Sequence, residues 1–544
     1  MSKSASRGPR PVTAARPFTP PLPVLALAVV ALVVFAHRHV LGAYFALDDL
    51  ILFQQAAGVR AWPETPWRWL SGIAWFRAVV PAWGHEPLPY HLASLVLHLV
   101  NTGLLFALAR RWGAGPLAAT VGAVLFGVSR LHFPALLAAT SVGELLALGF
   151  ALGAVLVAGP GPRAWWAAVL MALAVSAKES VMLVPVAALL VPAPEGGSRA
   201  RTLGPALATG FVVGALLLAN GMGSGRLGGA AYSVAFGGNL LDNAARLVTW
   251  SFDLVSPIPE STAPPTGALR FALPLLALVL TGVAWRARST PLLALGALWW
   301  WLALVFVLPL PGRVYLHYLY APLAGLALVG AGLVQWAVGR RGVGKRAWAV
   351  AGAAVLVFTL WSDVSLSTRV DLRMEAVDWP LDPVLRKSEI ARRSIGDVRR
   401  VLAGNPARVA ILIPASLSRN VGMGSGRVLA DTLPVQRYEL EAVLDGGASL
   451  RAFVPEAESV VFVHDFESGR DGWRYLISRT DAHLVDLGTL PGAHQRVVEA
   501  MIASGLPAAA LDYAERALVH QPDDAAMRAL RDRAAAAITP GGTP

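Results

Sequence analysis

The stretch LPVLALAVVALVVFAHRHVLG, residues 22–42, decides the fold class. No charge interrupts it from Leu22 to Ala36, and the basic residues Lys3, Arg7, Arg10 and Arg16 precede it. A helix of about 20 residues crosses a hydrocarbon core of about 30 Å. The basic start also suits a cleaved signal peptide. However, His37, Arg38 and His39 follow with no small-x-small cleavage site, so the segment reads as an uncleaved anchor.

Ten further apolar stretches lie near 88–109, 116–130, 135–158, 164–178, 180–192, 203–220, 271–285, 291–310, 314–337 and 347–362. The 544 residues are 55% hydrophobic and only 15% charged, with a mean hydropathy of +0.55. Soluble domains carry about 25% charged residues. This composition excludes a soluble enzyme, a disordered chain and a collagen-like rod. The absence of cysteine excludes disulfides, a thiol nucleophile and a thiolate metal site.

The net charge of +12 is unevenly placed. Residues 1–362 hold 25 Lys and Arg against 10 Asp and Glu, and residues 363–544 hold 21 against 24. The basic excess therefore sits in the apolar half, in short loops. It falls in the N-terminal tail (residues 1–21), at Arg110 and Arg111, at Arg163, at Arg199 and Arg201, at Arg286 and Arg288, and at Arg340 to Arg346. If the eleven stretches alternate across a membrane, all six groups share one side. That is the positive-inside pattern, not a nucleic-acid patch. The loops 43–87 and 221–270 and the whole C-terminal segment then lie outside the cytoplasm, as in a multi-pass protein of a bacterial inner membrane with a periplasmic tail.

Ten acids remain in the membrane half, and all but Glu195 map to the outer face. Acids retained near hydrocarbon are functional candidates. Asp48 and Asp49 follow the first stretch and are flanked by apolar residues. Two carboxylates this close raise one another's pKa, which suits a general base or a ligand of a divalent cation such as Mg or Mn. His85 and Glu86 precede the next stretch, where His91, Ser94, His98 and Asn101 share one helical face as cavity-lining or acceptor-side candidates. Glu144 and Glu179 join them. Arg130, Lys178, Arg313, His317 and Tyr320 form a set of cations and aromatic groups suited to a lipid phosphate.

The order of these motifs resembles the GT-C superfamily of membrane glycosyltransferases, closest to bacterial relatives of the TPR-containing protein O-mannosyltransferases. The matching stretches are Asp48-Asp49, then Pro87-x-x-Tyr90-His91-Leu92 with His98 and Asn101. Ala177-Lys178-Glu179-Ser180 with Pro185 and His317-Tyr318-Leu319-Tyr320-Ala321-Pro322 follow. The resemblance implies a polytopic helical domain over 22–362 and a polyprenyl-phosphate-linked sugar donor. It implies an acceptor outside the cytoplasm, protein or glycan, and a first-loop acid as base or metal ligand, carried to Asp48 with Asp49 second. The family usually has Arg where this chain has His317; Arg313 lies one turn earlier.

The tail reads differently. Residues 385–404 have helical periodicity, and Val409–Pro414 and Ser459–Phe466 are short apolar runs typical of buried strands. A small α/β domain over 380–490 follows. Residues 493–537 are Ala-rich, and Gly505, Ala510, Ala514, Ala517 and Pro522 fit a short TPR-like helical segment that could engage a protein partner. The hexapeptide Gly-Met-Gly-Ser-Gly-Arg occurs at 221–226 and 422–427 and reads as loop, because neither copy is a GxxxxGK[ST] phosphate loop. His464, Asp465 and Glu467 read as a polar loop rather than a metal site. The function expected is transfer of a sugar from a polyprenyl phosphate. The alternative is a non-catalytic scaffold whose degenerate core presents the tail.

Overall fold

The computed structural model describes residues 19–46, 48–64, 67–191, 199–223, 234–286, 291–311, 313–339, 344–374, 379–412, 440, 443–463, 472–478, 482–490, 492–503 and 505–538, without the side chains of 199–201, 221–223 and 463. Residues 464–467, 224–226 and the second hexapeptide at 422–427 lie outside the described residues.

All eleven apolar stretches are helical. Among the described residues, seven helices are long and apolar enough to cross a membrane: Leu22–Gly42, Pro87–Arg111, Ala139–Val157, Thr202–Asn220, Leu269–Arg286, Leu316–Val338 and Lys345–Asp371. Pro116–Gly127 and Arg130–Leu137, bent by 42° at their junction, form an eighth if taken as one broken span. The other three expected spans, Pro162–Ala177, Glu179–Leu190 and Pro291–Leu304, are apolar but short. At 1.5 Å per residue none of them reaches across about 30 Å. On Leu269–Arg286 the side chains of Leu275, Leu276, Val279 and Val283 are all more than half exposed. A face this apolar is stable against lipid and not against water. The chain is a multi-pass membrane protein.

Local chemistry sets the helix ends. Pro87, Pro116 and Pro162 each sit in a first turn, where the missing N–H costs nothing. Small residues set the closest crossing. A Cβ on Gly296 would lie 2.4 Å from the Gly325 carbonyl oxygen, so Pro291–Leu304 and Tyr320–Val338 meet through bare backbone. The break after Gly127 frees two carbonyls. Gly127 accepts from His37 and His98, and Val128 accepts from Ser362 Oγ at 2.5 Å, so side chains replace the missing helix bonds.

The tail holds strands β1 (Arg373–Met374) and β2 (Trp379–Pro380), paired antiparallel, and a four-stranded sheet of order β4-β3-β5-β6. These are β3 (Ala407–Leu412), β4 (Ala457–Val463), β5 (Arg474–Ser478) and β6 (Leu484–Gly488). β3 runs parallel to both β4 and β5, and β6 is antiparallel to β5. Alternation along β3 gives the sheet two covered faces. Val409 and Ile411 pack with the helix Pro383–Leu402 and with Phe45, Leu50 and Phe53 of the first loop. Ala410 and Leu412 pack on the helices Gly492–Ala503, Pro507–His520 and Ala525–Ile538.

The first loop is thus held between bundle and tail. Its helix Asp48–Ala56 bonds the tail through Gln54 Nε2 to Ser449 Oγ at 3.0 Å. Ser388 Oγ donates to the Tyr44 carbonyl at 2.9 Å. At the junction, buried Arg369 reaches Asp382 (Nε to Oδ2, 2.6 Å) and Glu260 (Nη2 to Oε1, 3.0 Å). The other oxygen of Asp382 caps Pro383–Leu402, accepting from Val384 and Leu385 N–H at 2.7 and 3.0 Å.

Candidate active site

Asp48 and Asp49 occupy the first turn of Asp48–Ala56, where helix geometry splays neighbouring side chains apart. Asp48 is exposed and Asp49 fully buried. Asp49 Oδ1 accepts from Thr140 N–H at 2.7 Å and Oδ2 from Ala46 N–H at 3.1 Å. Burial pushes its carboxyl up to about 6, against the pull of those two amides. Asp49 therefore positions the loop against the 139–141 turn, and Asp48 is the carboxylate left facing outward. Asp49's bonded oxygens and Asp48's outward position leave the pair without a shared focus. Among the described residues no three His, Asp or Glu side chains converge as a cation site.

The residue Thr140 leads into Val142–Val157, whose first turn carries Glu144. Glu144 Oε1 pairs with Lys178 Nζ, both buried, and Ser180 Oγ lies 3.5 Å from Glu144 Oε2. Lys178 Nζ sits 4.9 Å from the centroid of the Tyr318 ring. The His317 ring packs on Tyr318 and stacks on Tyr315, with centroids 4.5 and 5.5 Å apart. Lys178 and Arg68 are the cations whose fields fall on His317. The structure thus brings Glu144, Lys178, Glu179 and His317 together, from three segments far apart in sequence. Arg313, half-buried, opens the segment that carries His317.

Arg68 is the member that sequence reasoning missed. Its Nε and Nη2 donate to the two oxygens of Glu179 at 3.1 and 2.5 Å, a bidentate pair. Its guanidinium also stacks on Trp67 at 4.3 Å. Arg68 adopts φ +52°, rare for a residue with a Cβ, and one π-turn, Leu70–Ala74, follows it. Ser71 Oγ on that turn donates to the Ala177 carbonyl at 2.7 Å. The first loop is fastened in this way beside Lys178.

Other candidates serve elsewhere. Arg130, 2% exposed in its side chain, donates to the Asp253 carbonyl at 2.5 Å and to the Ser256 carbonyl, and lies 5.0 Å from the Trp361 ring centroid. Its Nη1 and Nη2 are committed to the 253–256 turn, Nη2 also lying 3.5 Å from Asp253 Oδ1. Tyr320 lies deeper: its hydroxyl meets His98 Nδ1 at 2.9 Å and Asn101 Nδ2 at 3.0 Å. His91, Ser94, His98 and Asn101 are all buried, as their shared face requires. His85 stacks on Phe453 of the tail at 4.3 Å, and Glu86 is exposed at the start of Pro87–Arg111.

Five of the nine described acids of the membrane half are ion-paired. Glu144, Glu179, Asp242, Asp253 and Glu260 meet Lys178, Arg68, Arg270, Arg130 and Arg369 respectively. Asp48, Glu64 and Glu86 are the exposed acids of this half outside those pairs, and Asp48 alone of the three adjoins a buried carboxylate. Chemically, the arrangement offers an exposed carboxylate on a buried anchor, a buried ammonium and an aromatic wall.

No family model and no curated protein matches the chain. The crystal structure of ArnT from Cupriavidus metallidurans bound to undecaprenyl phosphate is similar to it, at 14% identity over 80% of this chain and 77% of that one, with a TM-score of 0.38.

Proposed function

We propose that the chain is an integral-membrane glycosyltransferase that moves a sugar from a polyprenyl phosphate to an acceptor hydroxyl on the tail side. The observation that carries this reading is the cluster of Lys178, His317, Tyr318 and Arg68 beside the first loop that bears Asp48. A phosphate leaving from an anomeric carbon needs cations where its charge develops. Lys178 and Arg68 supply them, each poised on a carboxylate partner. The Asp48 carboxylate takes the acceptor proton as the acceptor oxygen bonds to the anomeric carbon, and the bond from that carbon to the phosphate oxygen breaks. The basic excess in the short loops of the apolar half is what supports a tail outside the cytoplasm, in a bacterial cytoplasmic membrane. There the three C-terminal helices hold the acceptor or a protein partner.

A second reading, a non-catalytic scaffold presenting the tail, draws on the same cations. Lys178 and Arg68 are already neutralised by Glu144 and Glu179.

Transfer from a panel of polyprenyl-phosphate sugars, in nanodiscs with and without divalent cation, separates the two. Asp48→Asn and the double variant Lys178→Met with Glu144→Gln, which leaves no buried carboxylate unpaired, should each remove turnover while the protein elutes unchanged. Turnover from no donor selects the scaffold; turnover indifferent to both variants removes Asp48 and Lys178 from the mechanism.

A further inference from the structure

The amphipathic helix Gly238–Ser251 ends in the turn Phe252-Asp253-Leu254-Val255-Ser256. Val255 is 91% exposed, Leu254 63% and Phe252 62%. Three large apolar side chains on one turn are costly in water.

Several backbone groups of this turn are met from within the protein. Asp253 Oδ1 accepts from the N–H groups of Val255 and Ser256, both at 2.8 Å. Arg130 takes the carbonyls of Asp253 and Ser256. Ser256 Oγ donates to the Ile258 carbonyl at 3.0 Å. A loop tip in water has no need of such bonds, because water serves its polar groups. At the lipid boundary, where water is scarce, each such bond inside the protein counts for more.

Its depth follows from Arg130. The guanidinium that holds the turn also lies over Trp361, ten residues before the end of Lys345–Asp371, or about 15 Å along that helix. Val357, Leu360 and Val364 expose apolar side chains around that level. The turn is therefore level with a lipid-facing surface.

We infer that Phe252–Val255 is a wedge seated in the bilayer, at the boundary of headgroups and acyl chains on the tail side. The occupant of this apolar surface is lipid. The wedge fixes the loop between two spans to the membrane, and Arg130 is the strut that sets its depth. This holds whether or not the chain is an enzyme.

The chain contains no cysteine, so single labels are unambiguous. A spin label at Val255→Cys in lipid nanodiscs is compared with Val357→Cys, on a lipid-facing helix, and Val519→Cys, 77% exposed in the tail. Oxygen should collide with the Val255 label more often than a nickel chelate does, as at Val357. Preference for the chelate, as at Val519, would overturn the inference. Protection from both reagents would also overturn it, because protein would then cover the turn. Leu254→Cys repeats the measurement should the first variant fold poorly.

Discussion

His37 and His98 donate their Nε2 protons to one oxygen, the Gly127 carbonyl, at 3.0 and 2.9 Å. A carbonyl only accepts, so both rings carry hydrogen on Nε2. The Nδ1 of His98 is then an acceptor, filled by the Tyr320 hydroxyl, which in turn accepts from Asn101. The bent span is held by this directional chain of neutral groups.

Because Gly127 has two donors, losing one is not equivalent to losing the other. His98→Phe strips the buried Tyr320 hydroxyl of its acceptor and should cost about 2–3 kcal/mol. His37→Phe leaves His98 on the carbonyl and should cost about 1 kcal/mol. Thermal unfolding in detergent reads the order. Equal losses would refute the shared carbonyl as the reason both histidines are there.

Asp49 makes stability depend on pH in an uncommon direction for a carboxylate. Its folded pKa, about 6, lies above its ordinary value of 3.8. The folded chain thus holds this proton more tightly than the unfolded chain does. The stabilisation is complete below the ordinary value and is lost as pH rises through about 6. The span of roughly 2 units corresponds to roughly 3 kcal/mol. The gap in unfolding temperature between wild type and Asp49→Asn should therefore shift against wild type from pH 4 to pH 7. A gap that stays constant would show the carboxylate ionised throughout.

Removing Arg68 strands Glu179. Arg68→Met should destabilise by about 3–5 kcal/mol, because a largely buried carboxylate loses its partner. Adding Glu179→Gln should recover most of that loss, a coupling that a double-mutant cycle measures directly. Two costs that simply add would mean the pair is incidental.

Asp382 binds Arg369 with one oxygen and caps a helix with the other. Asp382→Ala removes the cap, worth about 1 kcal/mol, and leaves Arg369 with Glu260 alone. Protease cleavage near residues 372–383 should quicken while the bundle stays intact. Unchanged cleavage would show that the tail is held by its apolar contacts.

Apolar runs are a local property, so the eleven apolar stretches were legible in the sequence, whereas the helices Asp48–Ala56 and Gly238–Ser251 within the two long loops were not. The split into spanning and short helices depends on where each chain end turns, as at Leu304 and Leu190, and that is less legible. Lys178, Glu144 and His317 were legible because charge between apolar runs is conspicuous, although their meeting was not. Arg68 sits in Trp67-Arg68-Trp69, with no periodicity, and finds Glu179 across 111 residues. Arg130 looked like a ligand of phosphate because sequence gives its charge but not the two carbonyls that occupy it.

The clasp between first loop and tail has a consequence in time. Tyr44 waits 344 residues for Ser388, and Gln54 waits 395 for Ser449. At a synthesis rate of about 5–20 residues per second, the loop spends roughly 20–80 s bare before its cover exists. A chain cut short by a nonsense codon inserts its helices but never receives that cover. The cell thereby has a chemical mark, uncovered Phe45 and Phe53, that tells finished copies from unfinished ones.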